Sequence, residues 1–370
     1  MCYPKYSFCV SFVIKNALLL SFALLFTNCG DDTTSPPTVY EKNGECSNIE
    51  SLFQVAKFPI GTALNYDAFL SDVAYRNLVE THYNSITPEN VMKPSNIHPL
   101  ESEFNWGASD SIIQFCSKHA KHVHGHTLVW HNQLPDWILN YKGTKKDWED
   151  VLKNHIQTIV LRYKGKIRGW DVVNEAFEED GSLRNTIWLE NIGESYIEKA
   201  FMYAHNADPS ALLFYNDFNL ESNATKREKV IQFLNTAKNR GATIHGIGLQ
   251  MHIYHLYPSE LMLKETFEEV VSNNYKVHIS EMDVSVNPMS VDIVPDSTLL
   301  AQQAKQYETV IRLYSQLSAD KKYGCTLWGV TDKYSWIRSF FYREDYPLLF
   351  DDNYKQKPAF FSMKKALCIY

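Results

Sequence analysis

Hydrophobic positions along this chain switch repeatedly between two periods. Short, nearly continuous apolar runs alternate with longer segments in which apolar residues recur every three or four positions. The short runs predict strands at 60–64, 85–89, 123–130, 169–175, 212–217, 246–252, 276–283 and 325–330. The longer segments predict amphipathic helices at 111–121, 148–163, 194–206, 225–240 and 299–317. In the second of these Val151, Leu152, His155, Ile156, Ile159 and Val160 fall on one face, and Thr144 with Asp147 makes a capping pair at its start. Gly241 stands where a C-terminal cap is expected after the fourth. Eight strand–helix repeats whose strands are apolar on both faces predict an α/β protein, a parallel (β/α)8 TIM barrel ringed by helices. One barrel over residues 45–370 uses nearly the whole chain and leaves no room for a second large domain.

The residues ahead of the barrel have a different character. Lys5 and Lys15 precede the apolar run 17–26, which is too short to span a bilayer and has the size of a signal-peptide core. The stretch Leu24-Leu25-Phe26-Thr27-Asn28-Cys29 resembles a bacterial lipobox, with Asn28 where a small residue is usual. Residues 1–28 are therefore expected to be a lipoprotein-type signal peptide, with Cys29 lipidated as the first mature residue. Residues 29–44, polar and proline-bearing, have the composition of a flexible tether. The expected location is the outer membrane or cell surface, held only by that anchor, with plain secretion as the alternative. A net charge of −7, with 36 basic residues scattered among 43 acidic ones, forms no basic stripe and argues against nucleic acid as a partner. Once Cys2, Cys9 and Cys29 are assigned to the export segment, Cys46, Cys116, Cys325 and Cys368 remain in an oxidising setting. Their three possible connectivities stay open alongside free thiols, although the meeting ends of a closed barrel favour Cys46 with Cys368. No spacing resembles a zinc site, so neither metal nor cofactor is expected, and the chain is expected to be a monomer.

In parallel barrels chemistry sits at the C-terminal ends of the strands. Polar and aromatic residues gather there: Thr87-Pro88-Glu89-Asn90 after the second strand, 126–133 after the third, Asn174-Glu175 after the fourth and Asn216-Asp217-Phe218 after the fifth. Gln250-Met251-His252, Glu281 and Trp328 close the sixth to eighth. A single glutamate at a strand end reads as a loop charge. Two, within a converging polar set, supply what cleavage of a glycosidic bond requires: one acid, and one nucleophile or base. Many of the 22 Tyr and 8 Trp fall beside these motifs, where sugars stack on rings; the rest are ordinary core aromatics.

At this point the chain resembles glycoside hydrolase family 10, the retaining endo-β-1,4-xylanases, over roughly residues 51–366. The resemblance rests on Ile86-Thr87-Pro88-Glu89-Asn90-Val91-Met92-Lys93, on 125–135 from Gly125-His126-Thr127 to Gln133-Leu134-Pro135, on 170–177 around Asn174-Glu175, and on Gly248-Leu249-Gln250-Met251-His252. It continues through 279–284 around Glu281 and through 326–336 from Thr326-Leu327-Trp328 to Tyr334-Ser335-Trp336. It implies that Glu175 is the general acid/base and Glu281 the nucleophile. With those roles, Glu175 is expected to start protonated, its pKa raised to roughly 6 by partial burial and by Glu281. The resemblance also implies that His252 bonds the nucleophile, that Asp283 orients His252, and that Asn174 meets the sugar 2-hydroxyl. Simple alternation would turn Asn174 and Glu175 to opposite faces, so the strand must bulge or end there.

The remaining cleft follows from the same resemblance. Glu89, Asn90, Lys93, His126 and Gln250 line the donor subsites, with Trp130, Trp328 and Trp336 as their aromatic floor and walls. Gln133 and Trp336 crowd the place of a hydroxymethyl group, a steric reason for xylose over glucose. Asn216 and Phe218 belong to the substrate-binding set, Phe218 standing where relatives often carry Tyr on the acceptor side. The implied partner is xylan and its oligosaccharides. A same-clan barrel hydrolase acting on β-1,4-glucan is the second reading, and a catalytically silent glycan-binding lipoprotein the third.

Overall fold

Eight parallel strands close into a barrel. In the computed structural model, which describes residue 46, residues 48–291 and residues 293–370, they are β1 (Ile60–Leu64), β2 (Ser85–Pro88), β3 (His122–Gly125), β4 (Gly169–Asn174), β5 (Leu212–Asp217), β6 (Gly246–Leu249), β8 (Lys276–Ser285) and β9 (Lys322–Leu327). Each pairs with its neighbours in chain order, β9 returns to β1, and a β6–β8 pairing completes the ring. The short β7 (His252–Tyr254) lies outside that ring, paired to the end of β8. The expected signal peptide, the tether and Cys29 lie outside the described residues.

Local sequence explains most of the elements. Thr144 and Asp147 form a reciprocal capping box at the start of the helix Lys145–Arg162, so two otherwise unpaired N–H groups are satisfied. Gly241 follows the helix Ala224–Asn239 and its Arg240 cap with φ +100°, a conformation that costs a side-chain-bearing residue more than glycine. Strand side chains Leu213, Ile247, Val277 and Ile279 share one buried cluster with helix side chains Ile156, Phe201, Leu234 and Val310. That apolar layer fixes the strands, and through them the loops above.

Three strand expectations ran past the observed ends, the eighth stopping at Leu327 and not at 330. The third strand ends at Gly125, after which Leu128 and Val129 make isolated contacts with β4: the Leu128 N–H donates to the Asp171 carbonyl and the Val129 N–H to that of Val172, both at 3.0 Å. The sixth breaks at Met251, whose φ of +59° ends β6 and redirects the chain into β7. The ring also contains the helices Val73–His82, Glu260–Ser272 and Pro358–Ile369, which the apolar periodicity above did not single out. Near the two ends of the described residues Cys46 and Cys368 form a disulfide across 322 residues, with Cα atoms 6.3 Å apart, while Cys116 and Cys325 are buried free thiols.

Candidate active site

Both glutamates reach the cleft by the same backbone device. Along β4 the register with β5 shifts between Asp171 and Val173, and Glu175 follows with φ +56°, a left-handed conformation costing on the order of 1 kcal/mol for a side-chain-bearing residue. Alternation is broken there, so consecutive residues Asn174 and Glu175 turn to the same side. Along β8 the register with β9 shifts between Ile279 and Met282. There Ser280 and Glu281, again consecutive, both bond one side chain, Asn216.

Asn216 joins the two acids. Its Nδ2 donates to Glu281 Oε1 at 2.6 Å and to Asn174 Oδ1 at 2.8 Å, while its Oδ1 accepts from Ser280 Oγ at 2.6 Å. Asn174 in turn donates from Nδ2 to Glu175 Oε1 at 3.2 Å. The Asn216 amide is fully buried, with both N–H donors and its oxygen engaged by protein partners, which makes it a positioning group between the carboxylates. Room for it comes from Gly248, its register partner on β6: a Cβ there would lie 2.2 Å from Asn216 Oδ1.

Around Glu175 every bonded neighbour is a donor. Gln250 Nε2 donates to Oε1 at 3.0 Å and Trp130 Nε1 to Oε2 at 2.9 Å, so Trp130 is also a partner of the acid, beyond its expected role as a wall. Burial pushes this carboxyl up, but the Gln250 and Trp130 bonds and the charges of His131 and Arg184 outweigh it and hold the group below the ordinary glutamate value. The expectation of a raised pKa is corrected accordingly. The backbone is gripped as tightly: Arg184 Nε donates to the Glu175 carbonyl at 3.0 Å, and Tyr215 Oη accepts from the Ala176 N–H at 3.0 Å. Tyr215 also donates to Asp217, which is paired at 2.9 Å with the buried Lys226. Arg184 lies in a loop without periodic signal, and sequence pattern did not mark it.

Glu281 faces a second chain of polar groups. His252 Nε2 lies 3.4 Å from Glu281 Oε2, and His252 Nδ1 lies 2.9 Å from Asp283 Oδ2. Burial pushes the imidazole down, yet its bonds and charge contacts with Asp283 and Glu281 bring it up to about 10, so it is a cation at neutral pH that donates to Asp283 and pairs by charge with Glu281. Asp283 Oδ2 also accepts from Trp336 Nε1 at 2.8 Å, which fixes the indole beside the His252 ring with centroids 4.9 Å apart. One acid therefore orients both a histidine and a tryptophan.

The remaining predicted residues surround this pair unevenly. Lys93 is buried, donates from Nζ to Asn90 Oδ1 at 3.1 Å and lies 5.2 Å from the Trp130 ring and 5.9 Å from that of Trp328. Burial pushes its ammonium down against the pull of Glu281, Glu89 and Glu175, and burial raises the Glu89 carboxyl, which accepts from Asn90 at 3.1 Å. Phe218 has Lys226 Nζ 3.9 Å from its centroid. Gln133 is exposed, and no hydrogen bond links its side chain to Trp336 among the described residues.

Beneath the cleft, two clusters of potential metal-ligand atoms share Asp171: one with His124 and His278, the other with His126 and Glu281. The Asp171 carboxylate is already flanked at 2.9 Å by His124 Nε2 and by His126 Nδ1. Despite full burial, which raises it, these histidines hold Asp171 well below the usual carboxylate range. The network carries support from the barrel interior to His126 at the cleft floor, a role the residue pattern alone did not mark.

Comparison with known proteins places this geometry. Residues 48–366 match the model of glycosyl hydrolase family 10. The chain is 41% identical over 332 residues to a beta-1,4-xylanase of Dictyoglomus thermophilum, covering 86% of this chain and 91% of that protein. It is 39% identical over 330 residues to an endo-1,4-beta-xylanase of Geobacillus stearothermophilus, covering 85% and 98%. Among solved structures it is similar to xylanase 10B from Thermotoga maritima, with a TM-score of 0.81, 35% identity and coverage of 86% and 98%. It is also similar to Cellvibrio japonicus xylanase10C in complex with xylopentaose, with a TM-score of 0.83, 33% identity and coverage of 87% and 69%.

Proposed function

The chain belongs to glycosyl hydrolase family 10, and from that premise we propose that it is a retaining endo-1,4-β-xylanase that cleaves internal xylosidic bonds through a covalent glycosyl-enzyme. The observation that carries the proposal is the amide bridge, Glu281–Asn216–Asn174–Glu175, which presents one carboxylate directly after β4 and one from within β8, at its register shift. Asn216 and the His252 cation hold Glu281 aimed at the anomeric carbon. Its carboxylate oxygen attacks as Glu175 protonates the departing glycosidic oxygen. Water, deprotonated by Glu175, then attacks the anomeric carbon and returns Glu281 as a carboxylate, with net retention.

The surroundings of Glu175 indicate when it takes up its first proton. A neutral carboxylic acid needs an acceptor for its O–H, and Trp130 and the amide N–H groups oriented toward it offer only donors. The glycosidic oxygen of a bound substrate is such an acceptor, and the sugar that brings it adds to the burial that already favours the neutral form. Protonation is therefore coupled to substrate binding. After the ester forms on Glu281, the donor set again favours the carboxylate that the second step requires.

Initial rates on xylan, a cellulosic glucan and an aryl β-xylobioside, for the wild-type enzyme, Glu281→Ala and Glu175→Ala, test this assignment. Wild-type enzyme is expected to prefer xylan, and Glu281→Ala to lose every activity. Glu175→Ala is expected to lose xylan hydrolysis by on the order of 10²–10⁴-fold, and far less on the activated aryl substrate, which leaves without protonation. Equal losses of Glu175→Ala on both substrates would contradict its role as acid, and a preference for glucan would sink the substrate assignment.

A further inference from the structure

The short helix Trp336–Phe341 carries an aromatic surface that the cleft described above does not use. Residues i and i+4 share a helix face, and Trp336 and Phe340 are such a pair, with ring centroids 5.3 Å apart. Phe341 lies 5.6 Å from Trp336 and 4.9 Å from Phe340. Three rings thus run outward from the His252–Asp283 pair to the surface, where Phe340 is 62% exposed and Phe341 44% among the described residues. Burying one side of the helix through Ile337 fixes which face is offered to solvent.

The shelf is held in place before any ligand arrives. Arg343 stands 4.8 Å from the Phe341 ring, and its Nη2 donates to the buried Asp345 at 3.1 Å and to Ser285, at the end of β8, at 3.3 Å. Tyr254, the register partner of Ser285 on β7, is 42% exposed but stands outside the three-ring set. Rings scattered singly over a surface need no explanation, but a contiguous, braced set continuous with a sugar-binding cleft does.

We propose that Phe340 and Phe341 form an additional sugar subsite, continuing the cleft beyond Trp336 and stacking against one further pyranose of the xylan main chain. The inference rests on the xylanase reading of the cleft. An endo-acting enzyme must let the polymer pass over the rim of its cleft. The C–H faces of sugars pack on aromatic rings, and rings already fixed lose little freedom on binding. Phe340 touches neither glutamate, so its contribution is to affinity for long substrates and not to bond cleavage.

The test compares wild-type enzyme, Phe340→Ala and Phe340→Trp by kcat/KM on linear oligosaccharides from xylotriose to xylohexaose, on an arabinose-decorated oligosaccharide and on an aryl β-xylobioside. Phe340→Ala is expected to lose roughly three- to tenfold on the longest linear substrates, to keep wild-type rates on the aryl xylobioside, and to be rescued by Phe340→Trp. A loss confined to the decorated substrate would overturn the main-chain assignment in favour of a side-chain sugar. Identical length dependence in all three proteins, or an equal loss on the aryl xylobioside, would overturn the subsite. If the wild-type enzyme itself failed to cleave the xylo-oligosaccharides, the underlying xylanase reading would fall instead.

Discussion

Glu175 was visible in the sequence as a carboxylate after an apolar strand, but its protonation behaviour was not. That behaviour depends on donors brought from three other places, Asn174 beside it, Trp130 after β3 and Gln250 after β6, and no local pattern reports which way their N–H groups point. The Glu175 carboxyl lies below the ordinary value in this geometry, so if substrate supplies the acceptor for its O–H, free enzyme is expected to lose its acid at a lower pH than enzyme holding substrate. The pH profile of kcat/KM reports free enzyme, and that of kcat the complex. The alkaline limb of kcat/KM on a soluble xylo-oligosaccharide is therefore expected to fall at lower pH than the alkaline limb of kcat. Coincident limbs would show that protonation of Glu175 is not coupled to binding. The raised His252 has the opposite linkage: its contribution to stability is complete below its ordinary value of 6.5 and is lost as pH rises through about 10. His252 and Asp283 were legible as a motif, whereas Asn216 was legible only as a polar strand end, because its bridging depends on β4, β5 and β8 meeting at one depth.

Strands were legible as apolar runs, but the irregularities that make them useful were not. The shifts at Asp171/Val173 and Ile279/Met282 arise between neighbouring strands, so a period counted along one strand cannot reveal them. The same limit explains the overlong third and sixth strands, whose apolar residues continue past the turn that ends each ladder. Gly248 tests the importance of strand-level fit. Placing a methyl group 2.2 Å from Asn216 Oδ1 forces that amide to move, and both glutamates are tied to it. Gly248→Ala is expected to reduce kcat on xylan by about 10²-fold, as a misplacement near 1 Å does, with a stability loss of about 1–3 kcal/mol from overpacking. Wild-type kcat in a folded variant, checked by circular dichroism and thermal melting, would show that Asn216 does not position the acids.

At the scale of the whole molecule, eight alternations of strand and helix were enough to imply closure, and closure brings the two ends of the barrel together. The Cys46–Cys368 disulfide follows from that, although cysteine spacing alone left three pairings open. A bridge spanning 322 residues constrains the unfolded chain, and neither cysteine is among the residues that bond the two glutamates. Cys368→Ser is thus expected to lower stability by about 2–4 kcal/mol, read as a fall in thermal midpoint, with kcat on xylan unchanged; an unchanged midpoint would show that the bridge contributes nothing to stability. In the proposed mechanism the barrel holds Glu175 and Glu281 in different roles, and the identity of the nucleophile is the most exposed part of that proposal. The direct measurement is peptide mass mapping after incubation with a 2-deoxy-2-fluoro-β-xylobioside carrying a good leaving group, which slows release of the covalent intermediate. The account predicts a fluoroxylobiosyl adduct on the peptide containing Glu281 and none on that containing Glu175. An adduct on another carboxylate, or no adduct on an enzyme that turns over xylan, would contradict it.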